Sequence, residues 1–159
     1  MGRESVEKLK IFVDSIKKQS IYLVKLSFLA KDEIISISMD EISLDHDFKI
    51  EISGVKETKI DNRNFIIVSL DYKFVEKIFW TKRKKQLLRM DILYKLNLFL
   101  ELNNKSESLV NDKETILNYA NSSGLLIVFP YIRYLADHIH KELRLGLEPY
   151  PPMKIKLDV

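Results

Sequence analysis

The chain has 159 residues, 46% of them apolar and 31% charged, which is enough for one domain with a core of its own. It contains no cysteine, and that removes disulfides, thiol nucleophiles and cysteine-rich zinc sites together. The formal charge is +3, from 26 basic and 23 acidic side chains, but the excess is local: residues 77–89 hold six cations and no acid, which leaves 20 cations against 23 acids elsewhere.

Residues 3–10 carry charges throughout and no apolar run, so a secretory signal is not expected. Residues 125–132 form the longest apolar run and fall far short of the ~20 needed to cross a bilayer. These features predict a cytoplasmic protein that does not insert into membranes. In residues 4–19, Val6, Leu9, Val13 and Ile16 recur at steps of three and four, the spacing of an amphipathic helix. Residues 21–29 alternate, with Tyr22, Val24, Leu26 and Phe28 on one face and Ile21, Leu23 and Lys25 on the other. Both faces are largely apolar, so this strand is either covered on both sides or left open on one to meet a partner.

Residues 30–47 read as a long connection with an unusual load of Ile34, Ile35, Ile37, Met39, Ile42 and Leu44 among short polar residues. Alternation predicts strands at 48–53, 64–75 and 86–102, with Gly54 and Asp61-Asn62 marking the turn between the first two of these. The last is the clearest, with Met90, Ile92, Tyr94, Leu96, Leu98, Leu100 and Leu102 on one face. The basic run Lys82–Lys85 falls at the turn before it. After a polar loop at 103–111, Asn111 or Asp112 can cap a short helix from Glu114 to Asn121, ending near Gly124.

A long helix follows, with Leu125, Phe129, Ile132, Ala136, Ile139 and Leu143 as its core stripe. Pro130 either marks its first turn or bends a longer helix, since proline costs about 3 kcal/mol in a helix interior. Gly146 is the expected C-cap, Pro149, Pro151 and Pro152 prevent a restart, and residues 150–158 read as a final strand. Adjacent strands joined by short turns imply an antiparallel sheet with the helices on one face, an α+β fold.

No catalytic arrangement emerges. His138 and His140 lie two apart and point to different sides of their helix, and His46 sits in the long connection. No His-x-x-x-His pair, Gly-rich phosphate loop or nucleophile–base spacing is present, so an enzyme, a metal site or a cofactor is not expected. Phe79, Trp80, Lys82, Arg83, Lys84 and Lys85 form an aromatic-plus-cation patch. It can be read as a solvated hairpin tip whose lysines deter edge pairing, as an electrostatic contact for acidic or disordered clients, or as a nucleic-acid-binding module. The more useful signal is the apolar excess: the six residues of the 30–47 connection, and Tyr131, Tyr134 and Leu135, which fall off the helix stripe. Such groups mark a binding surface or are buried by self-association.

Two motifs resemble a known family. Gly124-(x)4-Phe129-Pro130-Tyr131-x-Arg133, followed by Pro151-Pro152-Met153-x-Ile155-x-Leu157, is similar to the C-terminal signature of the SecB export chaperones, and Ile21-Tyr22-(x)4-Ser27-Phe28 resembles their first strand. The resemblance covers residues 20–159. It implies a SecB-like fold: a four-stranded antiparallel sheet with a long helix on one face, here with an extra N-terminal helix at 4–19. It also implies a dimer or dimer of dimers that binds unfolded or aggregation-prone proteins without ATP. The implied groove is lined by the crossover at 30–47 and by the long helix, where the apolar excess falls.

Three departures set the chain apart from typical SecB. It stops after its terminal strand, without the further helix and acidic tail that contact the SecA motor. Lys25 and Leu29 stand where acids that dock SecA are found. The N-terminal helix is additional. Together with Leu117-Asn-Tyr-Ala-Asn-Ser-Ser-Gly124, these features resemble the atypical SecB-like chaperones of toxin–antitoxin systems, which imply an antitoxin tail as client and make SecA binding doubtful. A general preprotein export chaperone is the alternative within the class.

Overall fold

The computed structural model describes residues 2–103 and 106–146. The predicted final strand, with Pro151 and Pro152, lies outside them. The first helix, α1 (Arg3–Ser15), runs without a loop into the first strand, β1 (Ile16–Ala30). Two short 3-10 turns (Asp32–Ile35 and Met39–Glu41) cross to β2 (Ile42–Ile60), which is followed by β3 (Arg63–Trp80) and β4 (Lys85–Glu101). A further 3-10 turn (Glu107–Asn111), α2 (Lys113–Tyr119), a π-turn (Ala120–Gly124) and α3 (Leu125–Glu142) complete the described residues.

All strand pairs are antiparallel and the sheet order is β1-β4-β3-β2. The first two strands therefore form the two edges. Side chains of β3 and β4 alternate except at an irregularity where Leu87 and Leu88 are both buried, and Val68, Leu70, Tyr72, Ile78, Met90, Ile92, Leu96, Leu98 and Leu100 are all buried on one face. The helices cover that face. Tyr72 Oη donates to the Ala120 carbonyl at 3.0 Å, and the Phe48 and Phe129 rings meet edge-on at 6.4 Å. The opposite face carries polar networks. Lys95 pairs with Asp71 at 3.0 Å, Ser69 bonds Asn97, and Lys49 and Lys73 together draw the Glu51 carboxyl down to about 2. An antiparallel sheet with one wet face needs this division.

Several expectations are corrected. The N-terminal helix ends at Ser15, and its buried face is Phe12 and Ser15; Val6 and Val13 are exposed. Phe12 packs on Tyr119 at 5.4 Å. A bulge between Leu23 and Lys25 shifts the β1 register, so Val24 does not share a face with Leu26 and Phe28. Ile21, Leu23, Leu26 and Phe28 lie opposite Leu96, Tyr94, Ile92 and Met90, and all therefore point to the helix side. Gly54 is a bulge position inside β2, not a turn residue. The turn is Asp61-Asn62, both with positive φ, as a two-residue hairpin of this twist requires.

Asp112 caps the short helix, accepting from the Thr115 backbone N–H at 3.3 Å. That helix does not stop at Gly124; the π-turn carries it into α3, so Pro130 lies inside a longer helix. In α3, Val128 and His140 join the buried stripe, and Phe129 sits at its margin. The C-cap is Leu143, followed by Arg144 in the left-handed conformation (φ 53), so Gly146 is not the cap. Arg144 N–H donates to the Lys141 carbonyl and Leu145 N–H to the His140 carbonyl, both at 3.0 Å, while the Leu145 side chain is buried. That is a Schellman cap.

Candidate functional site

Three of the regions where apolar side chains are left uncovered bear on a binding surface. The first is the crossover and the strand after it, which begins at Ile42 and takes Ile42 and Leu44 out of the connection. Ile35 is 72% exposed, and Met39 and Leu44 are also exposed. Ile34 is buried in the core, and Ile37 and Ile42 are half-buried against it. The second is α3, where Tyr134 is 70% exposed and stacks on His138 at 6.2 Å, and Leu126 and Tyr131 are exposed as well. Leu135 packs on the core margin. Of the nine apolar residues expected at a binding surface, five are therefore open to solvent and four contribute to packing.

The inward face of β1 is a third apolar strip that alternation alone misplaced. Leu23, Leu26 and Phe28 point to the helix side yet remain exposed, while the ring and hydrogen-bond contacts of α3 fall on Tyr94 of β4, Glu76 of β3 and Phe48 of β2. Tyr131 reaches Tyr94 at 5.8 Å, and Leu23 is the β1 neighbour of Tyr94. The strip therefore abuts the flank of α3. Burial, with the Tyr131 hydroxyl beside it, pushes the Tyr94 phenol above its ordinary value. Phe129, Pro130 and Arg133 of the helix-entry motif lie on α3, where Arg133 pairs with Asp137 at 3.7 Å.

The basic hairpin is largely engaged within the molecule. Lys82 pairs with Glu41, Lys85 with Glu33 at 2.5 Å, and the Arg83 guanidinium lies 4.5 Å from the centre of the Trp80 ring. Lys84 turns the chain with a positive φ. The acids that neutralise the run belong to the crossover, far away in sequence.

Sequence reasoning missed a buried hydrogen-bonded pair. Glu76 is fully buried, and both its oxygens face His140 Nε2, at 2.7 and 3.0 Å. The signal was present: Glu76 interrupts the inward row Tyr72, Phe74, Ile78 of β3. Among the described residues, no group of three His, Asp or Glu is placed to hold a metal ion, and no helix is long and apolar enough to cross a membrane.

No family model and no curated protein matches the chain. Among solved structures it is similar to a Mycobacterium tuberculosis SecB-like chaperone in complex with a ChAD peptide from the HigA1 antitoxin, at 15% identity and a TM-score of 0.59, covering 96% of this chain and 99% of that one. The chain has a SecB-like fold. The order β1-β4-β3-β2, the crossover between the two edge strands, the long C-terminal helix and the N-terminal α1 make up that SecB-like fold here.

Proposed function

We propose that the protein is an ATP-independent chaperone that holds extended apolar segments of unfolded clients, with a dedicated client such as an antitoxin tail. The observation that carries this is the uncovered apolar surface of the crossover and α3, with Ile35, Met39, Leu44, Tyr131 and Tyr134 all exposed, in a fold shared with a chaperone solved with an antitoxin peptide. Surfaces of this kind on proteins of this size mark binding sites. Burying ~500 Å² of client apolar surface gives a gross ~12 kcal/mol, and ordering the client and losing its translational freedom offset most of it. Micromolar holding per site follows, with avidity across subunits. Ile34, Ile37, Ile42 and Leu135 join the surface on local rearrangement.

Lys25 and Leu29, both on the outward face of β1, support a dedicated client over SecA-coupled export, because they offer no acid for a basic partner. The protein acts in the cytoplasm as a homo-oligomer. The edge of β1, which has no partner among the described residues and whose Tyr22, Leu23, Leu26, Phe28 and Leu29 are exposed, supports pairing with a second copy.

The test is suppression of aggregation of a chemically unfolded protein without ATP, for wild type and for the Ile35→Asp/Met39→Asp variant. The expected result is suppression by wild type that survives high salt and is lost in the folded variant. Full suppression by the variant would remove the crossover from the binding surface. Binding that collapses in salt would favour a phosphate-binding role for the hairpin.

A further inference from the structure

The crossover is fastened to the sheet in a way that a fixed wall would not be. Its backbone is anchored at its two ends: Lys31 N–H donates to the Leu87 carbonyl at 2.7 Å, and Thr81 N–H and Oγ1 donate to the Glu41 carbonyl at 2.8 and 2.7 Å. Between these points, among the described residues, its backbone bonds only within its own two turns. Apart from the buried Ile34 side chain, what holds the span from the hairpin side is charge. Lys85 reaches Glu33 and Lys82 reaches Glu41, both pairs bridging from the hairpin tip to the crossover. The Lys85 ammonium holds the Glu33 carboxyl below its ordinary value by hydrogen bonding. All four side chains are partly or largely exposed, and ion pairs in such settings are readily broken.

Beneath the clamp is a cost that the closed arrangement carries. The Trp80 indole N–H is buried and meets no acceptor among the described residues. A buried donor without a partner disfavours the state that buries it, and access to water relieves the penalty. Trp80 lies opposite Ile42, where the crossover enters β2, and opposite Lys85, where the clamp begins. The Arg83 guanidinium covers its ring from the hairpin side.

We propose that the crossover is a strap closed over the sheet by the Lys82–Glu41 and Lys85–Glu33 pairs, and that its release uncovers Trp80, Ile34 and Ile37 as additional client-binding surface. The assignment rests on the holdase reading and states how that site is regulated. The basic run is on this account the catch of the strap and not a nucleic-acid site. The exterior ion pairs and the burial of Ile34 favour the closed arrangement, and the unsatisfied interior donor opposes it, so loss of the pairs moves the balance toward the open one. An acidic stretch beside an apolar client segment can compete for Lys82 and Lys85 and open the strap as it binds.

The chain has one tryptophan, so its fluorescence reads the strap directly. The full-length protein would be compared at fixed low salt with Lys82→Met/Lys85→Met and with a charge-exchanged variant (Lys82→Glu, Lys85→Glu, Glu41→Lys, Glu33→Lys). Two readouts are taken: acrylamide quenching of Trp80, and affinity for labelled, reduced and carboxymethylated lactalbumin as the unfolded probe. Removing both pairs shifts the open fraction by roughly threefold to tenfold. The expected result is higher quenching and comparably tighter probe binding in the methionine variant, with both readouts returning toward wild type in the charge-exchanged one. Unchanged quenching, or increased quenching without tighter binding, would overturn the strap. Failure of the holdase reading looks different: wild type and variants alike would retain no probe, whatever Trp80 reports.

Discussion

At the scale of single residues, the most consequential pair is Glu76 and His140. A carboxylate placed in an apolar row is costly unless it is answered, and the imidazole on the last turn of α3 answers it. The pair fixes where the end of the helix sits on the sheet. Replacing Glu76 with leucine takes from the buried imidazole its carboxylate and should destabilise the fold by about 1–3 kcal/mol in urea unfolding. Glu76→Leu combined with His140→Leu should recover most of that loss, since an apolar pair of similar volume needs no compensation. If the double variant is as unstable as the single one, the site owes its stability to groups other than this pair. The charge was visible in the sequence as a break in the apolar row, but its partner was not. His140 is separated from Glu76 by 64 positions, and only the docking of α3 on the sheet brings them together.

At the scale of elements, the join between α2 and α3 shows how a hydroxyl can choose a residue. The π-turn widens the helix where Tyr72 Oη enters to donate to the Ala120 carbonyl, and a Cβ on Gly124 would lie 2.3 Å from that oxygen. Glycine is required there by contact, not by φ, which is helical at −62°. Gly124→Ala should cost about 1–3 kcal/mol, a fall in Tm of roughly 3–10 °C by calorimetry. Tyr72→Phe removes the obstructing oxygen and should cancel most of that penalty when the two are combined. Additive losses in the double variant would place the conflict elsewhere. From the sequence, Gly124 reads as a helix stop, because glycine after a polar run usually is one. The period of β3 and β4 was legible because one face is wholly buried. The period of β1 was not, because a bulge reverses the faces after Leu23, and a strand apolar on both sides gives alternation nothing to contradict. The exposed aromatics of α3 could be picked out by their departure from the stripe. The burial of Ile34 could not, since nothing local distinguishes it from Ile35.

At the scale of the whole molecule, the sheet of the described residues ends in an open apolar edge. β1 is long, its inward side is apolar, and among the described residues it has no partner on its outer side, with Leu29 67% and Phe28 51% exposed. Two copies meeting edge to edge would continue the sheet across a two-fold axis. Substituting Leu26→Lys and Phe28→Lys should weaken self-association at least a hundredfold, read as a shift to monomer by light scattering at micromolar protein. An unchanged assembly would mean that another surface, such as the exposed Val6 and Val13 side of α1, makes the contact.

The order of the strands also sets a schedule. β2, β3 and β4 form a meander of hairpins, each able to close soon after it is made, whereas β1 pairs only with β4 and lies on the far side of it. Ala30 is complete long before Leu88, its partner, exists. At about 5–20 residues per second, an apolar strand waits several seconds on the ribosome with neither edge satisfied. During its own synthesis the chain presents the kind of segment that we propose it later shields, and its folding yield should depend on how quickly the β3–β4 hairpin forms to receive that strand.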